Sequence, residues 1–281
     1  MLETTIAYVR DIIPKIGLML LASFVLLPFL FGYLTQNRDQ AALINNFSAV
    51  TGLAAAAAST QDLSPLPSEP FAPGTASGYM SIPAIGLQQV IVEGTGADQT
   101  RKGPGHMAGT SGFGQAGNAV VIGRRLAYGG PFLRLNQLKA GDKIEISTIQ
   151  GTSTYVVDPK LPAIESGALS ASTDNRLTLV TSTPPIAAVG LTTVTASLVG
   201  KPFIDFPQAP SWTAVHPLGN TGHPLPVLAL MVLSLILVFE SLRFVARTFT
   251  KSVTWMIGLP IVLATGIALS HVLDMLLPPS L

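Results

Sequence analysis

Apolar positions along this chain fall into three long runs and a series of short ones. Residues 16–34 (IGLMLLASFVLLPFLFGYL) form 19 positions without a charge. A helix of about that length crosses a hydrocarbon core of roughly 30 Å, and Pro28 is tolerated there as a kink. The bulky end of the run (Phe29, Phe31, Tyr33, Leu34) lacks the small residues of a cleavage site, so it reads as a retained anchor. Two further runs, 225–245 and 253–274, are interrupted by Glu240, Pro260 and His271. Glu240 and His271 stand near the predicted helix ends, where a polar tip reaches the interface. The connecting 246–252 loop with its flank (RFVARTFTK) holds Arg243, Arg247 and Lys251 and no acid, the bias of a cytoplasmic loop. The pattern therefore predicts three transmembrane helices. Residues 1–15 lie inside, the stretch from about 36 to 223 outside, 246–252 inside, and the tail 275–281 outside.

The stretch between the first two runs divides again. Within 35–78, Leu43, Ile44, Phe47 and Val50 recur at helical spacing and predict a short amphipathic helix. The rest of that segment is rich in Ala, Ser and Pro, a composition that reads as a linker. From 79 to 200 the apolar runs become short and β-branched: MSIPAI, QQVIVEG, NAVVIGR, DKIEIST, TSTYVVD, RLTLVTST and LTTVTASLV. Lys143-Ile144-Glu145-Ile146-Ser147 alternates as a half-buried strand does, and Gly141-Asp142 and Gln150-Gly151 bracket a hairpin. Seven to eight short strands without a long helix predict a mainly β domain closed as a barrel or sandwich. Residues 201–224, rich in Pro and Gly, form a second linker.

Composition narrows the function. Charged residues make up 11% against roughly 25% in soluble domains, hydrophobic residues 48%, and the mean hydropathy is +0.50. Sixteen basic and 15 acidic residues leave a net charge of +1, too little for a nucleic-acid-binding field. Cysteine is absent, which excludes disulfides, thiolate nucleophiles and zinc–thiolate sites. The acids are scattered without calcium-loop spacing, and the glycines of TSGFGQAG and YGGP lack the strand–helix setting of a phosphate cradle. No metal and no cofactor is expected.

The runs SIPAIGLQQVIVEGTG, TRKGPGHMAGTSGFGQAGNAVVIGRRLAYGGPFLRLNQLKAGDKIEI and RLTLVTSTP together resemble a sortase domain, most closely the housekeeping-type subclass of high-GC Gram-positive bacteria. The resemblance implies a closed sortase-like β-barrel on the outer face of the cell membrane. Members of that family are cysteine transpeptidases acting on sorting signals in the cell envelope. It also implies three catalytic side chains. A histidine ends the strand written VIAGHR in the family; VVIGRR here places Arg124 at that position. A cysteine ends the strand LTLxTC; LTLVTS places Ser182 there. An arginine follows on the next strand, yet no Arg or Lys occurs between Arg176 and Lys201. His106, in KGPGHM, matches a structural loop histidine.

A serine hydroxyl attacks only with an adjacent base, and a guanidinium stays protonated at any ordinary pH. The resemblance thus implies a membrane-anchored sortase-like pseudoenzyme that binds or scaffolds, with a peptide or an envelope protein as partner besides the lipid bilayer. Two alternatives stand beside it. One is a Ser182 acyltransferase whose base would be Asp174 or a partner's side chain; the other is a structural subunit of an envelope complex. The candidate cleft residues are Thr181, Ser182, Thr183, Arg124 and Arg125. Arg124 reads either as a solvated rim residue beside Arg125 or as a fixed cation able to hold a carboxylate or phosphate.

Overall fold

The computed structural model describes residues 32–48, 69–159, 174–184, 190–205, 207–208, 225–248, 251–276 and 280. The chain separates into two compact units: Gly32–Asn220 with Leu277–Leu281, and Met1–Phe31 with Thr221–Leu276.

The first unit is an eight-stranded barrel. Its strands are β1 (Ala76–Ile82), β2 (Leu87–Glu93), β3 (Gly105–His106), β4 (Asn118–Ile122), β5 (Lys143–Thr148), β6 (Gly151–Val157), β7 (Arg176–Thr183) and β8 (Gly190–Leu198). They close in the order β1-β2-β3-β4-β7-β8-β6-β5, with β5 returning to β1. The expected alternation in β5 holds: Ile144 and Ile146 are buried between exposed Lys143 and Glu145. The β5–β6 hairpin turns where Gln150-Gly151 predicts, with Gly151 at φ +131. Met80, Ile82, Ile91, Val121, Phe132, Tyr155, Leu177 and Leu179 fill the barrel.

β4 and β7 do not alternate, because both of their faces are covered. Ala119, Val121, Leu177 and Leu179 point into the barrel. Val120, Ile122 and Val180 form a second cluster on the outer face with Met107 and Leu191. A strand buried on both faces reads as a continuous apolar run, as NAVVI does.

Helix α1 (residues 32–48) overlaps the expected amphipathic helix but starts earlier and buries a different face. Gly32, Gln36 and Gln40 are the buried positions; Leu43 and Phe47 are half-buried, and Ile44 is 39% exposed. Val50 lies outside the described residues. The reason is hydrogen bonding: Gln40 accepts from Val90 N–H at 2.8 Å and donates to Val90 O at 3.0 Å and Lys102 O at 2.8 Å. Its amide thus mimics a strand neighbour for the middle of β2. Close docking needs small residues opposite, since a Cβ at Gly103 or Gly129 would overlap Gln40 or Gln36. A single helical turn, α2 (Ala97–Thr100), lies between β2 and β3.

In the second unit, α3 (Leu225–Thr248) and α4 (Lys251–Leu276) cover the two C-terminal apolar runs as helices, and Pro260 lies inside α4. Among the described residues no helix is long and apolar enough to cross a membrane. The three expected spans are thus not met there: most of 16–34 lies outside the described residues, and the described side chains of α3 and α4 form only shorter runs. The linkers expected in the later part of 35–78 and at 201–224 also lie largely outside them, and the last residues of the first, from Ala76, belong to β1.

Replacing Gln40 with Ala strands the buried Val90 N–H and two carbonyls, so Gln40→Ala is expected to destabilise the barrel by about 2 kcal/mol. Ile44→Ala, on the exposed side of α1, is expected to change it by no more than about 0.5 kcal/mol. Urea denaturation of both variants checks the contrast, and equal effects would refute the amide-docking account.

Candidate functional site

The site lies where β4 and β7 stop pairing. Their parallel register ends at Ile122↔Val180, and Gly123 N–H still reaches Val180 O at 3.0 Å. Beyond that point the two chains part. Extending the register by two residues brings Arg124 opposite Ser182 on the outer face, because side chains alternate along a strand. The backbone N–H groups of Arg125 and Ser182 then have no neighbouring strand. Both donate instead to the carbonyl oxygen of Ser280, at 3.0 Å and 3.4 Å. Ser182 Oγ donates to the same oxygen at 3.0 Å. Thr181 Oγ1 lies 3.3 Å from it, but its one proton has a shorter acceptor in Gly123 O at 2.8 Å. Ser280 itself is fully buried.

The two arginines are not rim residues. Arg124 is 0% and Arg125 5% exposed, which corrects the solvated reading. Arg124 Nη2 donates to Ala97 O at 3.2 Å, and its guanidinium lies 4.8 Å over the Tyr128 ring, a cation–π contact. Arg125 turns the other way: Nη1 donates to Ser182 O at 3.1 Å and to Thr192 Oγ1 at 3.4 Å. Burial pulls the Arg125 guanidinium below its ordinary value. Thr192 stands opposite Thr181 on β8, and Leu191 opposite Ser182. Arg125, at the end of β4, thus reaches β8 at Thr192, a strand with no arginine of its own. Of the five candidates, Thr181, Ser182 and Arg125 converge on one point. Arg124 shares the outer face with Ser182 but is directed to Ala97 and Tyr128, and Thr183 pairs with Gly190 at the strand end.

Chemically, the arrangement holds a carbonyl. The one hydrogen bond of Ser182 Oγ among the described residues is the one to Ser280 O. Asp174 is bound to Arg176 at 2.6 Å at the opposite end of β7, roughly 20 Å or more from Ser182 at strand rise. It cannot act as the base.

His106 is excluded by the barrel wall. It pairs with Val121, on the core face, and its ring stands edge-on to Phe113 at 4.8 Å. Nε2 lies 3.0 Å from Ser111 O, which can only accept, so Nε2 carries a proton. Nδ1 sits 2.8 Å from Glu93 Oε2, with both side chains buried. Burial alone would lower the imidazole pKa. The Glu93 carboxylate, its hydrogen bond and the Ser111 carbonyl outweigh this and hold it above the usual histidine value. His106 thus makes a buried contact with Glu93 that ties β3 to β2.

Beside the cleft, a groove of about 940 Å³ runs along β8, lined by 135–140, 157–159 and 191–195. Arg125, Thr192 and Ser280 were not singled out for these roles by sequence. The doublet Arg124-Arg125 gives no sign of which side chain turns inward, and nothing in LPPSL marks a residue for the cleft.

Residues 80–199 match a family model described as a sortase domain. Sortase D of Bacillus subtilis (strain 168) is 36% identical over 84 residues, 30% of this chain and 41% of that protein. The chain thus spans under half the length of that curated relative. Among solved structures, a sortase D5 transpeptidase of Clostridium perfringens is 21% identical, covering 59% of this chain and 98% of its own, with a TM-score of 0.46. Sortase E from Streptomyces avermitilis is 29% identical, covering 46% of this chain and 91% of its own, with a TM-score of 0.40.

The His106–Glu93 pair makes stability depend on pH. A histidine whose folded pKa is raised contributes stability fully below about pH 6.5, and that contribution is lost as pH rises through the raised value. Thermal unfolding is therefore expected to show stability declining above pH 6.5. His106→Gln, which does not titrate, is expected to lose this slope. An unchanged slope in the variant would remove the pair as its cause.

Proposed function

The chain carries a sortase-family domain at residues 80–199, and on that premise we propose that it works as a membrane-anchored, extracytoplasmic pseudoenzyme that binds a peptide or an envelope-protein segment without transpeptidase chemistry. One observation carries this reading: Ser182, at the position of the family's nucleophile, donates its hydroxyl proton to a peptide carbonyl oxygen. A nucleophilic serine needs its proton taken by a base, and attack is on the carbonyl carbon. A hydroxyl that donates to the carbonyl oxygen instead holds the peptide in place. The neighbours fit holding as well. Arg125 fixes the Ser182 carbonyl and stays a cation, and Arg124, in the histidine's place, cannot accept a proton.

Anchoring rests on the apolar runs 16–34, 225–245 and 253–274, whose lengths suit a bilayer, with the basic connection that holds Arg243, Arg247 and Lys251 inside. That topology puts the barrel and the tail beyond Leu276 on the same, outer side of the membrane. The low net charge of +1 favours peptide or protein partners over nucleic acid.

The full chain, purified in detergent, is to be incubated with a library of sorting-signal peptides and the products read by mass spectrometry. The expected result is no cleavage above a protein-free blank, for wild type and Ser182→Ala alike. Cleavage by wild type that Ser182→Ala abolishes would overturn the pseudoenzyme reading. The triple variant Arg124→His, Ser182→Cys, Leu191→Arg reports whether the cleft still accepts a sorting signal. For anchoring, the chain is expected to stay in the membrane pellet after alkaline carbonate washing, and its release would refute the spans.

A further inference from the structure

The cleft is already occupied, and by this chain. Ser280 lies 98 residues from Ser182 in sequence, yet its carbonyl oxygen gathers the backbone N–H of Arg125, the backbone N–H of Ser182 and the Ser182 hydroxyl. The barrel needs this carbonyl. Where β4 and β7 part, two buried N–H groups are left facing one gap, and buried donors are seldom left unsatisfied. An oxygen delivered into the gap serves both at once, as an added strand does at a sheet edge.

The grip is on main chain only. Ser280 Oγ, though buried, makes no hydrogen bond among the described residues. Among the described residues, every hydrogen bond of Ser280 runs through its carbonyl, a group that every peptide possesses. We propose that Ser280 is an internal ligand of the Ser182 cleft, a plug whose carbonyl a peptide or protein segment must displace in order to bind. This deepens the binding function proposed above and rests on it. The site recognises a main-chain carbonyl at the Ser280 position with little regard for the side chain there, beyond its having to be small.

The topology proposed above is compatible with this arrangement, since it returns the tail after Leu276 to the side that bears the barrel. The consequence for binding is a competition. Affinity for an external peptide is lowered by the fraction of molecules whose cleft is open, and removing the plug removes that penalty.

Amide hydrogen exchange of the full chain in detergent tests this, read by mass spectrometry on fragments covering Arg125 and Ser182. Truncation after Leu276 is expected to speed exchange at these two amides at least tenfold while leaving β1, β2 and β5 protected. Adding the peptide of residues 274–281 (DMLLPPSL) to the truncated chain is expected to restore slow exchange. Ser280→Ala, which keeps the carbonyl and removes an unbonded hydroxyl, is expected to stay slow. Ser280→Trp, too large for a fully buried position, is expected to be fast and guards against a truncation that fails to fold. Unchanged exchange in both the truncated chain and Ser280→Trp would overturn the plug. The added peptide is weighed in the same samples: a cut peptide would overturn the pseudoenzyme reading, while exchange alone decides occupancy.

Discussion

The parallel pairing of β4 with β7 is the constraint on which the rest of the barrel turns. Five rungs, from Asn118↔Arg176 to Ile122↔Val180, join the early strands to the late ones. Neither hairpin contacts nor local turns could do this. Parallel neighbours need long connections, and the one between β4 and β7 contains the whole β5–β6 hairpin. The same pairing buries the outer faces of both strands under Met107 and Leu191. Buried Thr178 donates to Asn118 Oδ1 at 2.9 Å where the pairing begins. Where it ends, the strands diverge, and the divergence gives this wall of the barrel its chemical character: two backbone donors and a hydroxyl aimed at one point.

Much of this was legible from local pattern. The segment RLTLVTST is β7 residue for residue, the alternation around Ile144 and Ile146 is β5, and the Gln150-Gly151 turn is where the chain folds back. These are short-range signals, set by side-chain period and turn chemistry. The apolar-face rule failed on α1, whose contact with the barrel is made through Gln36 and Gln40. A buried amide satisfies backbone groups that an apolar side chain cannot, so polarity at these positions marks contact and not exposure. The arginine doublet failed for a related reason. Burial of a guanidinium depends on carbonyls and rings supplied by other segments, here Ala97, Ser182 and Tyr128, and the pattern around the doublet does not report them. Ser280 lies furthest beyond such reasoning, because its role is carried by a carbonyl oxygen common to all residues.

At the three positions that the sequence aligns with the family's catalytic residues, the groups that stand there have partners of their own. The histidine's place holds a residue that is cationic at every relevant pH, packed on Tyr128 and bonded to Ala97. The arginine's place on β8 is empty, yet a guanidinium from the end of β4 lies within reach of Thr192. The cysteine's place holds a hydroxyl, a better hydrogen-bond donor than a thiol. The three side chains make static contacts: Arg124 with Ala97 O, Arg125 with Ser182 O and Thr192, and Ser182 Oγ with Ser280 O.

The serine at position 182 has one more effect, on oxidation chemistry. A low-pKa cysteine exposed to peroxide passes to sulfenic and then to irreversible sulfinic and sulfonic acids, which makes thiol sites sensors or casualties of oxidants. The only sulfur atoms in this chain are those of its seven methionines. A hydroxyl oxygen cannot climb that ladder, so the cleft keeps its hydrogen-bonding character whatever the redox state of its surroundings.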